Sequence, residues 1–303
     1  MTTYANPDPA AGLTTAALPV HPRPDHLSYG QITKLSSVYS LSCPRQWAYA
    51  RLMGLPARKG DGLQYGGALD AGATAYQEAR VKGKPHDFAR RCGMTATQGS
   101  LQASSLPANL DRQFVVDAFL VLADWLDANS SAEAVQTEHE FTVWSSDGEV
   151  IKVVGRSDWI EAGGRIVDLK WSGQNRWTGT EADTAWNQDW LQAVHDQVTF
   201  YHMARLAAAR RSGAMPAAGG LGRVVVVRAG VKHKTAIVRA HDFNISAADI
   251  ERCTAAIVEA DEIARSDRHP ARPGDACKFC AYTNRCRIDL ARLAATDQEV
   301  ASG

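Results

Sequence analysis

The sequence predicts an α/β fold, and three features of its 303 residues carry that reading. Alternating segments rich in Val, Ile and Trp at 137–145, 150–161 and 165–171 read as consecutive strands. A long helical stretch, 186–213, follows them and stops at Ser212-Gly213. After it, GRVVVVRAG at 222–230 is nearly all apolar, as a strand covered on both faces would be, and 234–243 reads as its partner.

The remaining elements are consistent with one domain wrapped by helical ends. Residues 27–55 read as helical, broken in two at Cys43-Pro44, because proline cannot continue a helix from inside. Residues 64–82 read as a second helical region opening at Gly66-Gly67. The Ser/Thr/Gln/Gly-rich stretch 93–109 reads as a loop. Residues 111–128 form an amphipathic helix, with Phe114, Phe119, Leu122 and Leu126 at helical spacing and Asp111 as its cap. A last helix spans about 246–265. The expected organisation is a disordered tail over 1–26, one folded domain over 27–292 and a flexible tail over 293–303.

Composition excludes rather than identifies. With 45% hydrophobic and 22% charged residues, the chain has the make-up of a soluble globular protein, and its formal charge is zero. No run approaches the roughly 18 apolar residues of a membrane span. The first 25 residues lack the basic start and apolar block of a secretory signal, which points to a cytoplasmic protein. No G-x4-G-K-[ST] is present, so no motor of that type is encoded.

The hairpin GRSDWIEAGGRIVDLKWSG, 155–173, holds the first chemical signal. With a turn at 162–164, pairing runs Glu161 with Arg165 and brings Asp158 opposite Asp168. Opposed side chains lie ~4.5–5.5 Å apart at Cβ, and like charges there repel. A hard divalent cation such as Mg²⁺ or Mn²⁺ would relieve that repulsion, with the backbone carbonyl of Leu169 as a further oxygen ligand. Lys170 shares the face of Asp168. The plainer reading is a surface ion pair between Lys170 and one aspartate.

The second signal is Cys277-x2-Cys280-x5-Cys286. Three thiols in ten residues, without a secretory signal, point to metal chemistry rather than disulfides. A four-cysteine site needs one more ligand from elsewhere, and spacing alone leaves structural zinc and an iron–sulphur cluster both open. Cys92 and Cys253 fit no motif.

SLSCPRQWAYARLMGLP at 40–56, the hairpin and the cysteine tail together resemble RecB-type nucleases of the PD-(D/E)XK superfamily. The likeness is to the branch with cluster-binding cysteines at both ends, which includes CRISPR-associated and phage stand-alone exonucleases. The resemblance implies a PD-(D/E)XK restriction-endonuclease-like core, a mixed central sheet flanked by helices. It implies a [4Fe–4S] cluster on Cys43, Cys277, Cys280 and Cys286. It gives Asp158, Asp168 and Lys170 the catalytic roles, and Gln197 and Tyr201 match its Gln-x3-Tyr motif. It departs at Tyr65-Gly-Gly-Ala-Leu-Asp70, where Asp70 stands in place of the usual histidine ligand of G-x3-H; His195 lies on a different helix and is no substitute. The implied activity is Mg²⁺- or Mn²⁺-dependent DNA exonuclease action in phage recombination or repair, with DNA held through its phosphates and a recombination or annealing protein as candidate partner. The alternative is a nuclease-derived DNA-binding or assembly module, such as a CRISPR adaptation partner, with little cleavage. Candidate DNA contacts are Arg80, Lys82, Lys84, Arg90 and Arg91, and Arg228, Lys232, His233, Lys234 and Arg239; such clusters are also common as solvated faces.

Overall fold

The computed structural model describes residues 24–39, 42–56, 61–104, 112–172, 185–214, 219–230, 235–266, 269–273, 277, 280–289 and 291. The two expected tails, Asp111 and the Lys232–Lys234 cluster therefore lie outside the described residues, apart from 24–26.

Three helices fill the N-terminal half: α3 (Asp61–Val81), α4 (His86–Ala103) and α5 (Arg112–Asn129). They pack into one core with Trp159, Val167, Val225 and Val227 of the sheet. α4 corrects the expected loop at 93–109: residues 93–103 are helical and continuous with 86–92. The small residues that suggested a loop are what allow close helix packing. Gly93 sits against the Phe119 ring and the Gly72 carbonyl, and Gly72 faces Thr97 and Phe119, with no room for a Cβ at either position. Thr97 satisfies its buried hydroxyl by donating to the Gly93 carbonyl at 3.0 Å.

The helical start divides where Pro44 requires. α1 spans Tyr29–Leu35 and α2 spans Pro44–Arg51, with Cys43 at the N-cap of α2 in extended conformation. Ahead of α1, Leu27–Ser28 is not helical but a short strand, β1.

Among the described residues the sheet has six strands: β1, β2 (Ala132–Trp144), β3 (Val150–Glu161), β4 (Ile166–Ser172), β5 (Gly220–Gly230) and β6 (Thr235–Ile245). β5 runs parallel to β4 and antiparallel to β6, so its apolar run is interior to the sheet, as expected. The parallel β4–β5 pair is joined by α6 (Ala185–Arg211), which buries Val194 and Val198 on the other face of the sheet. α7 (Ala247–Arg265) and α1 complete that side. No helix among the described residues is long and apolar enough to cross a membrane.

One irregularity in this sheet positions everything that follows. β2 pairs with β3 along the whole of one edge. The opposite edge of β3 is shared: β1 takes Val153 and Val154, and β4 takes only Trp159 and Ile160. Between them, Gly155, Arg156, Ser157 and Asp158 meet no strand on that edge among the described residues. Four residues at ~3.3 Å each leave a gap of about 13 Å.

Candidate active site

The turn Ala162–Gly164 closes the β3–β4 hairpin with Gly163 and Gly164 at φ 75° and 81°, a region that suits residues without a Cβ. Glu161 N–H donates to the Arg165 carbonyl at 2.9 Å, which sets the register expected from sequence. The ladder runs through Ile160 with Ile166 and Trp159 with Val167. One step further, where Asp158 faces Asp168, the strands part. The Asp158 carboxylate takes over from the backbone, accepting the Leu169 N–H at 2.6 Å. The sheet opens at the residue whose side chain replaces the missing ladder bond.

Asp168 is 2% exposed, and the Lys170 ammonium lies 2.5 Å from its Oδ2. The plainer sequence reading is therefore half right: the ion pair exists, but it is sunk into the sheet opening rather than spread on the surface. Asp70, on α3, reaches the same opening. Burial pushes its carboxyl up, Arg156 opposes this, the Asp168 charge adds to it and Lys170 opposes it. The Asp158 carboxyl is pushed well above the usual range by burial first, then by the charges of Asp168 and Asp70, with Lys170 and the Leu169 N–H opposing. Burial also raises Asp168 against the pull of Lys170. Lys170 resists its own burial because Asp168, Asp158 and Asp70 hold its proton. Three carboxylates thus share an opening whose charge Lys170 and, toward Asp70, Arg156 offset only in part.

The wall opposite α3 is α6. Tyr201 is 5% exposed, its ring packed with Ile166, Val198 and Ile245. It covers Gly155, where a Cβ would stand 2.7 Å from the ring, and stacks on His139 at 5.2 Å between centroids. Burial raises its hydroxyl far above the usual phenol range, and the Asp168 charge adds to this. Gln197 Nε2 donates to that hydroxyl at 2.8 Å. The i, i+4 pair is therefore joined to itself, with the ring in the core and the polar end toward the carboxylates. His195 is elsewhere, tilted on Phe243 at 4.4 Å and 3.7 Å from Asp249.

Two features beside the opening escaped the sequence reading. Arg156 lies two residues before Asp158 and acts electrostatically on Asp70 and Tyr201; its place in GRSD is the only signal it offers. His139 lies behind Tyr201, its Nε2 2.8 Å from Ser157 Oγ, and nothing in its sequence context announces it. Of the first basic cluster, Arg80 pairs with Asp127 at 3.1 Å and Arg90 with Asp124 at 3.5 Å, so two of its five cations are engaged within the chain.

At the chain ends, the Cys286 thiol is pushed up by burial, opposed by Arg45, with Cys43, Cys277 and Cys280 adding to the shift, so the four thiols share one neighbourhood. The tail is fastened to α2 around them. Tyr49 donates to Asp289 at 2.7 Å, Tyr282 donates to the Leu55 carbonyl at 2.9 Å, and Arg45 Nε donates to the His269 carbonyl at 3.2 Å. Thr283 Oγ1 donates to the Cys277 carbonyl at 2.8 Å. An open pocket of about 430 Å³ is lined by Cys277, Cys280, Ala281, Thr283, Asn284 and Arg287. Cys253 is buried against the Asp196 carbonyl and Cys92 is half-buried, both away from the set. Among the described residues, no group of three or more His, Cys, Asp or Glu side chains is already arranged to hold a metal ion.

A family model for the PD-(D/E)XK nuclease superfamily matches residues 32–287. The chain belongs to that superfamily. The match takes in Asp70, Asp158 and Asp168 and the four clustered cysteines. Solved structures similar to this superfamily member include SSO0001, at 13% identity and TM-score 0.42, covering 87% of this chain and 86% of that one. Another is a "Putative exonuclease" from Eubacterium rectale, at 14% identity and TM-score 0.45, covering 84% and 87%. No curated protein matches. The mixed six-stranded sheet between helices is the fold expected of a PD-(D/E)XK core.

Proposed function

We propose that this chain is a Mg²⁺- or Mn²⁺-dependent DNA exonuclease, a single nuclease domain over 27–292. The observation that carries the reading is the sheet opening, where Asp70, Asp158 and Asp168 crowd together around Lys170. Carboxylates that raise one another's pKa despite a neighbouring lysine are an anionic set only partly compensated, and all-oxygen donors suit hard divalent cations. Asp70, Asp158, Asp168 and the Leu169 carbonyl would hold the ion. When bound, it supplies Lewis-acid polarisation of the phosphate and a lowered pKa for bound water.

The chain's own groups do the rest. Lys170, kept protonated by three carboxylates, stabilises negative charge developing on the phosphate as a water oxygen bonds to phosphorus and the P–O bond to the leaving nucleotide oxygen breaks. Gln197 and the Tyr201 hydroxyl orient a phosphate oxygen from the α6 side. The ring of Tyr201, stacked over Gly155, keeps that wall dry. Asp70 makes the ligand set harder and more negative than a histidine would, which favours Mg²⁺ relative to a site with imidazole.

Cys43, Cys277, Cys280 and Cys286 suit a [4Fe–4S] cluster, whose donors are thiolates. Such a cluster would tie α2 to the tail and close a loop spanning most of the chain, removing entropy from the unfolded state. The role that fits is phage recombination or DNA repair, with sequence-independent phosphate contacts and a recombination or annealing protein as partner.

The test is digestion of end-labelled linear and circular duplexes by the anaerobically purified protein with Mg²⁺, Mn²⁺ or EDTA. Label released only from linear DNA, and only with metal, is the expected result. DNA bound but uncut under every condition would overturn the exonuclease reading in favour of a binding or assembly module.

A further inference from the structure

Gln136 is the only non-glycine among the described residues with positive φ, at 51°. It lies inside β2, where a left-handed residue interrupts the pleat. Its neighbours Val135 and Thr137 pair with Trp159 and Ser157, so Gln136 stands directly across from Asp158. Glycine is the unstrained occupant of such a position, and a strained non-glycine residue beside a site is a pointer to its side chain.

That side chain reaches α3. Gln136 Nε2 donates to Thr74 Oγ1 at 3.0 Å. Thr74 is four residues after Asp70, hence on the same face of the helix. Three residues on, Gln77 donates to Ser130 at 3.1 Å, and Ser130 donates to Glu161, the last residue of β3, at 2.8 Å. One stripe of α3 therefore carries a carboxylate for the opening and two links to the β2–β3 pair. The Thr74 link lies nearer the carboxylate.

We propose that Gln136 is a positioning residue: its amide ties α3 to the strand opposite Asp158 and so sets the separation of Asp70 from Asp158. The inference rests on the reading of these aspartates as cation ligands. The left-handed backbone aims the amide across the sheet toward Thr74, and the hydrogen bond holds the middle of α3, one turn from Asp70, over the opening. Groups that orient ligands in this way typically change metal affinity by ~10–100-fold when removed.

The experiment is calorimetric titration of Mn²⁺ into full-length Gln136→Gly, alongside its thermal midpoint. Glycine relieves the backbone but deletes the amide. The expected result is an unchanged or raised midpoint with Mn²⁺ affinity ~10-fold weaker. Thr74→Ala should reproduce the loss, Thr74→Ser should restore it, and Gln136→Gly should add nothing to Asp70→Asn. Wild-type affinity in Gln136→Gly, or a lowered midpoint with affinity intact, would overturn the proposal. If wild-type protein binds no Mn²⁺, both this proposal and the cation reading fall, whereas intact binding in the variant alone removes only the former.

Discussion

The carboxylates of the sheet opening and the thiols of the chain ends are both clusters of like groups that repel when ionised. They are built differently. Asp158 and Asp168 sit on long paired strands, and Asp70 on a 21-residue helix packed between two others. Their positions are set by the core, and Lys170 already compensates part of their charge. The thiols sit on an eight-residue helix cap and a short tail joined by side-chain hydrogen bonds. The first cluster is held by the fold; the second, once bound to a common partner, would hold the fold. The lesson is that removing a carboxylate should cost chemistry, and removing a thiol should cost stability.

The largest expected effect is on chemistry. Lys170→Ala should lower DNA cleavage by ~10²–10³-fold while Mn²⁺ affinity changes little, because lysine is no ligand. Parallel turnover assays and titrations check this, and a matching fall in metal affinity would erase the division of labour. Next comes stability: Cys43→Ala should bleach the brown colour expected of the anaerobic protein and lower its thermal midpoint by on the order of 10 °C. A colourless wild-type protein with one equivalent of zinc would replace the cluster with a zinc staple.

A smaller effect tests the support behind Tyr201. Burial, and then the Arg205 charge, lowers the His139 pKa from 6.5 to about 4. A depressed base stabilises the fold above its unfolded pKa, and that contribution is lost as pH falls through the folded value. Urea unfolding should thus show a loss on the order of 3 kcal/mol between pH 6.5 and 4. His139→Phe, which keeps an aromatic ring on Tyr201, should flatten that slope; an unchanged slope would assign the acid sensitivity elsewhere. The smallest effect is the exposed Lys152–Glu140 pair at 2.8 Å. Lys152→Ala should cost less than about 0.5 kcal/mol and leave cleavage untouched.

Much of this was legible in the chain. The hairpin register followed from the length of the 162–164 turn, because a side-chain period of two leaves one pairing that matches both apolar faces. The break at Cys43-Pro44 and the interior position of β5 followed from proline geometry and an unbroken apolar run. α4 was not legible, because Gly93 and Thr97 serve tertiary packing against Phe119 and composition alone reads them as loop. β1 was hidden because two residues carry no periodicity. At the site, the Asp and Lys chemistry was visible in GRSD and DLK, but the opening itself was not. It depends on β1 and β4 sharing one edge of β3, a product of long-range pairing.

The most direct test of the central claim is cleavage of end-labelled duplex DNA by Asp168→Asn and wild-type protein, freshly purified in the same way and assayed in the same Mn²⁺ buffer. Asparagine keeps the shape of the side chain and removes its charge. Wild type should release label and Asp168→Asn none, with DNA binding retained in both; equal release by the two proteins would show that the Asp168 carboxylate has no part in cleavage.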